Sequence, residues 1–389
     1  GQSGLTAQMK PSVSVVVPVY RHQPYLEAAL ESILAFEYDD LEIIIQDDAS
    51  PDDAFEVIKR VVAGYDGPHT VNIGRNEKNL SMGNFNVLME RASGEYIICA
   101  HDDDIQYPQR VSMIMDAYLE HDVSMVTSNA IKITAQGDRI GPVSKSGNKL
   151  IVAEEFAEKG WTKLLGGPVL TWHRDVFDKF GPIDIDGTAR ASDWVIPYRA
   201  SLLKGIYYIK EPTLLLRQHA NSRGSIGRNT DDNDIFAVEN SSESMTQMVY
   251  ALRTTQDAHS FGIIGGDQAE KLDRLIRDYI IKQCKAIAVS RNRLHMRKMR
   301  MTWIGHSAGA VVESDFPNLG IAELTADIFT NEGMMKSLPK RLSHRHKIVK
   351  AVKGRPWYIV ALLNPFNVRY WWTVRKLQKE LLPPGGSDS

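Results

Sequence analysis

Through its first two hundred residues the chain alternates short apolar runs with amphipathic stretches. Val13-Ser14-Val15-Val16-Val17 is rich in β-branched residues and reads as a buried strand stopped by Pro18. Tyr25 to Phe36 places Leu26, Leu30, Ile33 and Leu34 at helical spacing. Leu41 to Gln46 is a second strand, Asp52 to Val62 a helix, His69 to Ile73 a third strand, Asn84 to Ala92 a third helix, and Tyr96 to Ala100 a fourth strand. Strand and helix exchange at short intervals. This predicts an α/β fold with an open, mostly parallel sheet covered by helices.

The pattern then loosens. Pro108 to His121 reads as a helix and Val123 to Asn129 as a strand. Ile131 to Ile140 reads as a hairpin around Gln136-Gly137-Asp138, and Gly141 to Lys149 as a mobile loop by composition. Asp193 to Leu203 is helical with Ser192 as N-cap. Ile206 to Ile209 and Thr213 to Leu216 are short strands, followed by a polar loop from Arg217 to Asp234. From there only long helical patterns remain, Ile235 to Ala258 and Asp267 to Val289. The expected organisation is a disordered leader over 1–11, an α/β domain over 12–230, a helical region over 231–335 and a tail over 336–389.

Charge adds to this picture. The net charge is −2, but from Gly333 onward twelve Lys/Arg face only Glu380 and Asp388, a net of +10, so the preceding residues carry −12. An acidic body with a basic tail points to an anionic partner for the tail. Residues 339–379 hold no acid and set Trp357, Tyr358, Phe366, Tyr370, Trp371 and Trp372 among Lys and Arg. That mixture fits a helix lying on an anionic membrane surface; a packed helix pair is the plain alternative. Nucleic acid is not expected, because no recognition motif accompanies the charge. Two cysteines form no disulfide framework, and no apolar run reaches membrane-span length. With no signal-peptide pattern, a cytoplasmic location, peripheral on the inner face of the membrane, is the expectation.

The chemistry gathers at strand ends. The fourth strand runs into His101-Asp102-Asp103-Asp104. Adjacent carboxylates repel, and a divalent cation relieves them; a metal with open positions grips a diphosphate. A solvated acidic turn is the bland reading of three acids alone. Pro18-Val19-Tyr20 and Asp47-Asp48 end two other strands, and in open parallel sheets ligands sit at the carboxyl ends of the strands.

Five motifs occur in order: Val-Val-Pro-Val-Tyr at 16–20, Gln-Asp-Asp-Ala-Ser at 46–50, Gly-Glu-Tyr-Ile at 94–97 with the acids at 102–104, Ser-Asp-Trp at 192–194, and Arg-Gln-His-Ala-Asn-Ser at 217–222. Together they resemble the family 2 glycosyltransferases, over about residues 12–225. The resemblance implies a GT-A fold: a Rossmann-like sheet flanked by helices, here followed by an α-helical C-terminal region. It implies an inverting, metal-dependent enzyme that moves a sugar from a nucleotide-sugar donor, UDP or dTDP type, to a glycan or lipid-linked glycan in surface polysaccharide biosynthesis. Asp193 would be the general base. Pro18, Tyr20, Asp48 and Asp102 would bind the nucleotide, Asp48 by accepting the N3–H of uracil or thymine. A cap for the helix near Asp52 is the rival role for Asp48. Asp103, Asp104 and His219 would hold Mn²⁺ or Mg²⁺. Trp172, Trp194 and Arg217 are acceptor or diphosphate candidates, with core packing as the rival reading for the two tryptophans.

Two departures from the family pattern stand out. His101 replaces a common acid, and Ser192 replaces a common Glu. A sugar nucleotidyltransferase would need a Gly-rich loop after the first strand, where Val19 to Pro24 has no glycine. A non-catalytic sugar-binding module would need neither Asp193 nor the acid run. A dinucleotide-binding glycine fingerprint is absent.

Overall fold

The computed structural model describes residues 12–21, 24–160, 166–183, 192–219 and 233–296, with backbone alone for 192–193, 233–246 and 284–296. The leader and the tail lie outside the described residues. The first half is the predicted alternation: β1 (Val13–Val19), α1 (Leu26–Leu34), β2 (Leu41–Asp47), α2 (Ala54–Ala63), β3 (Thr70–Arg75), α3 (Gly83–Arg91) and β4 (Tyr96–Cys99). After it come β5 (Ile105–Gln106), α4 (Arg110–Glu120), β6 (Met125–Ile133), β7 (Arg139–Pro142), β8 (Lys149–Ile151) and α5 (Ala153–Lys159). Then follow β9 (Thr171–His173), α6 (Asp175–Asp178), α7 (Ser192–Leu203), β10 (Ile206–Arg217), α8 (Asn233–Ser260) and α9 (Gly266–Met296). The result is a mixed α/β architecture with a central sheet flanked by helices.

The first sheet runs β3-β2-β1-β4-β9, with β3, β2, β1 and β4 parallel and β9 antiparallel on β4. Its central strands read as unbroken apolar runs because both faces are covered. Val13, Val15, Val17, Ile43 and Ile45 enter a core with α1, α2 and α4. Val16, Ile44, Ile97 and Cys99 face the opposite core, with α3, α5, α7, α8 and α9. The helices after residue 233 therefore share a core with the sheet: Met248, Leu252, Leu272 and Ile276 pack in the same cluster as Phe156 and Tyr198.

The strand predicted to stop at Pro18 continues through it to Val19, paired with β2 as Pro18↔Gln46. Val16 turns its backbone toward β4, where its carbonyl accepts Ala100 N–H at 3.0 Å. Pro18 points the same way, but the β4 ladder ends at Val16↔Cys99. Its missing N–H therefore breaks no ladder bond.

The second sheet runs β5-β10-β6-β7, with β8 also on β10. Thr171 joins the two sheets, its hydroxyl bonding Val126 O at 2.7 Å and Tyr118 Oη at 3.0 Å. The hairpin at 131–140 forms as β6 and β7. The two strands predicted at 206–209 and 213–216 are one. Pro212 lacks an N–H, and β10 absorbs it with register shifts on both sides while keeping its pairing with β6. Within the stretch read as a mobile loop, Asn129 clasps Ser144 through both backbone groups, at 2.8 and 3.1 Å.

Candidate active site

The strand order reverses between β1 and β4, and at such a point a crevice opens beyond the strand ends. The loop after β1 and the acid loop after β4 meet there: Tyr20 N–H donates to Asp102 Oδ2 at 3.3 Å. Tyr20 is 40% exposed, with the Arg21 guanidinium 5.3 Å from its ring centre. Arg21 has φ 76°, and Ser50 Oγ holds its N–H at 2.7 Å. Ser50 therefore fixes the turn after β1 and does not cap α2, whose first N–H, from Ala54, goes to Asp52 Oδ1 at 3.3 Å.

Asp48 is not a helix cap either. Its Oδ1 accepts from Asn76 Nδ2 and Leu80 N, and its Oδ2 from Ser81 N, each at 2.8 Å. It is 3% exposed and ties down the 76–81 loop. Behind it stands a polar relay. Asn76 Oδ1 accepts from Gln46 Nε2 at 2.7 Å, and Gln46 Oε1 accepts from Arg91. Gly74 leaves room for that last contact, since a Cβ there would collide with both Arg91 Nη1 and Gln46 Oε1. Nothing in the local sequence of Asp48 signals partners about thirty residues away.

The acid loop is the centre of the site. Asp103 Oδ2 lies 3.0 Å from His219 Nε2. Asp104 is fully buried; its Oδ1 accepts Arg217 N–H at 2.8 Å, while its Oδ2 has no hydrogen-bond partner among the described residues. Burial pushes the Asp102 carboxyl up to about 7, the Asp103 charge adds to this, and the Tyr20 N–H partly offsets it. Burial, and then Asp103, also raise Asp104 well above the usual carboxylate range. Protons or a cation would settle both groups. Ligand atoms of His101, Asp103 and Asp104 all lie within 4.8 Å of one another.

This donor set fits a divalent cation. A buried carboxylate oxygen without a partner is costly unless something positive meets it, and carboxylates suit Mg²⁺ and Mn²⁺. His101, read in the sequence only as the loss of an acid, joins the cluster. Its imidazole can ligate where the family carboxylate would, a substitution that residue-type matching passes over. Asp102 faces the β1 loop rather than this cluster.

Three acceptor candidates take other places. Trp172 is fully buried, its ring centre 6.5 Å from that of Phe85 and 6.0 Å from that of Phe177. Trp194 is 1% exposed and packs on Tyr250 at 5.6 Å. Neither ring is open to stack on a sugar, so the core-packing alternative holds for both. Arg217 is 8% exposed and spends its guanidinium on the protein: Nε donates to Asp103 O at 3.0 Å and Nη1 to Ala135 O at 3.1 Å. It braces the acid loop. The backbone of Asp193 lies in the first turn of α7, and its side chain is outside the described residues.

The resemblance read from the motifs has an independent counterpart. Residues 14–181 match the family model described as Glycosyl transferase family 2. An uncharacterized glycosyltransferase of Nostoc sp. is 27% identical over 229 residues, covering 57% of this chain and 70% of that protein. The GalNAc(5)-diNAcBac-PP-undecaprenol beta-1,3-glucosyltransferase of Campylobacter jejuni is 31% identical over 153 residues, covering 39% of this chain and less than half, 44%, of that protein. Among solved structures, S. aureus TarS 1–349 in complex with UDP-GlcNAc aligns with a TM-score of 0.48 at 14% identity, over 78% of this chain and 91% of that one. The family match spans β1 to α6 and takes in the loops after β1 and β2 and the acid loop, so over residues 14–181 the chain is similar to the family 2 glycosyltransferases.

Proposed function

We propose that this chain is an inverting, metal-dependent glycosyltransferase, with a UDP- or dTDP-sugar as donor and a glycan or lipid-linked glycan of a surface polysaccharide as acceptor. The observation that carries the reading is the cluster of His101, Asp103 and Asp104, with His219 against Asp103, beside the β1 loop. A divalent cation held there would neutralise charge that builds on the leaving nucleoside diphosphate. Pro18, Tyr20 and Asp48 line the nucleotide side. Asp48 Oδ2, with one N–H from Ser81, keeps acceptor capacity for the N3–H of uracil or thymine, which cytosine lacks. Asp193 takes the proton of the acceptor hydroxyl as its oxygen bonds the anomeric carbon. The bond from that carbon to the diphosphate breaks on the opposite face. The Campylobacter relative, by its name, acts on an undecaprenol-linked glycan, which supports an acceptor of that class.

A nucleotide-sugar panel tests this reading. UDP- or dTDP-sugars should be hydrolysed slowly in Mn²⁺ without acceptor, and chelation by EDTA should abolish turnover. Equal rates in EDTA overturn metal dependence. Faster turnover of CDP-sugars overturns the role of Asp48.

The tail belongs to the same reading, although it lies outside the described residues. No described helix is long and apolar enough to cross a membrane. We propose that residues 339–379 dock on anionic lipid at the inner face and bring the site to a membrane-held acceptor. Each basic residue near the surface contributes about 1 kcal/mol, and salt screens it. Full-length protein should float with anionic vesicles at low salt, and a version ending near residue 335 should not. Equal behaviour of the two, floating or sedimenting, overturns the docking role.

A further inference from the structure

Tyr25 stands at the N-cap of α1, where Ser, Thr, Asp or Asn would cap the helix with a side-chain oxygen. Tyr25 makes no such bond. Its half-buried ring is turned instead toward the end of β10. The Arg217 guanidinium sits 4.4 Å from the ring centre, and the His219 ring 5.1 Å from it, tilted by 46°. These two partners hold the acid loop. Arg217 bonds the Asp103 carbonyl with its side chain and the Asp104 carboxylate with its backbone, and His219 reaches the Asp103 carboxylate. β10 ends at Arg217, and Gln218 N–H still bonds Ile133 O at 2.8 Å. His219 lies just past the end of this strand, and Tyr25 supplies a face for its ring.

We infer that Tyr25 is a positioning residue that presents His219 to the metal cluster and ties it to the loop after β1. This rests on the reading of the acid loop as a metal site. A ligating imidazole must hold one ring orientation, and loss of an orienting partner typically weakens metal affinity by about 10–100-fold. A cation-facing aromatic ring is the requirement, so the phenol hydroxyl is dispensable.

The test is the Mn²⁺ dissociation constant of the full chain, read from the electron paramagnetic resonance signal of free Mn²⁺ with no nucleotide present. Tyr25→Phe should stay within about twofold of wild type, and Tyr25→Leu, which keeps bulk without the ring, should bind about tenfold more weakly. In a His219→Ala background Tyr25→Leu should add less than about twofold, because the two residues act as one unit. Wild-type affinity in Tyr25→Leu, or the same loss with and without His219, overturns the inference and leaves the metal site standing. Failure of the wild type to bind Mn²⁺ in an EDTA-reversible way overturns the metal site and this role with it.

Discussion

Asp103→Ala is expected to lower turnover by roughly a hundredfold to a thousandfold, the equivalent of several kcal/mol of lost charge stabilisation. The same change should leave the metal-free protein at least as stable as wild type at pH 8. Both effects follow from the geometry. The Asp103 carboxylate belongs to the ligand cluster and meets His219. Its charge also helps to raise the carboxyls of Asp102 and Asp104. A carboxyl whose pKa is raised by folding loses stability as pH climbs through the range between its unfolded and folded values. For Asp102 that range runs from its ordinary value of 3.8 to about 7. Removing Asp103 removes one source of this cost, and the brace from Arg217 survives because it grips the main-chain carbonyl. Thermal melts in EDTA and in Mn²⁺ separate the two effects: wild type should gain in melting temperature with Mn²⁺, and the variant should not. An Mn²⁺-dependent gain of wild-type size in the variant would move the metal away from Asp103.

Asp193→Asn should preserve donor binding and lower turnover by a hundredfold or more, the effect expected for loss of a general base. The substitution is nearly isosteric, and Asn is as well suited as Asp to a helix start, so α7 should form unchanged. The amide cannot accept the proton that leaves the acceptor hydroxyl. Calorimetry with UDP and Mn²⁺ should therefore match wild type while kcat falls. Near-wild-type kcat would place the base elsewhere. Weakened donor binding at full kcat would make Asp193 a donor contact instead.

Much of the first sheet was legible because its central strands are buried on both faces. Val13 to Val17 and Ile43 to Ile45 carry no polar positions that could suggest a helix face, apart from Ser14. Short elements left no comparable trace. β5 has two residues and β9 three, too few for any period, and α5 offers only Ala153, Phe156 and Ala157 to a core. Trp172 shows why site assignment from residue type reached less far: a tryptophan suits a sugar face and a core equally, and its burial involves Phe85, distant in sequence, as well as the nearby Phe177. Asp48, Asp103 and His219 were singled out by motif, but the groups that hold Asp48 and brace the acid loop were not. The brace by Arg217 and the relay through Gln46 and Asn76 join residues that local patterns cannot connect.

The placement of β10 bears on when the site comes into being. The acid loop leaves β4 near residue 100, yet two of its three carboxylates take partners from Arg217 and His219, more than a hundred positions later. β6 and β5 likewise wait for β10 before they are joined in one sheet. A nascent chain that has emerged only as far as Leu203 can pair β1 to β4 and bury much of the first core. It still holds its acids without the His219 imidazole and without their arginine brace. The polypeptide thus completes the acid-loop cluster late in synthesis, when the strand that closes the second sheet docks.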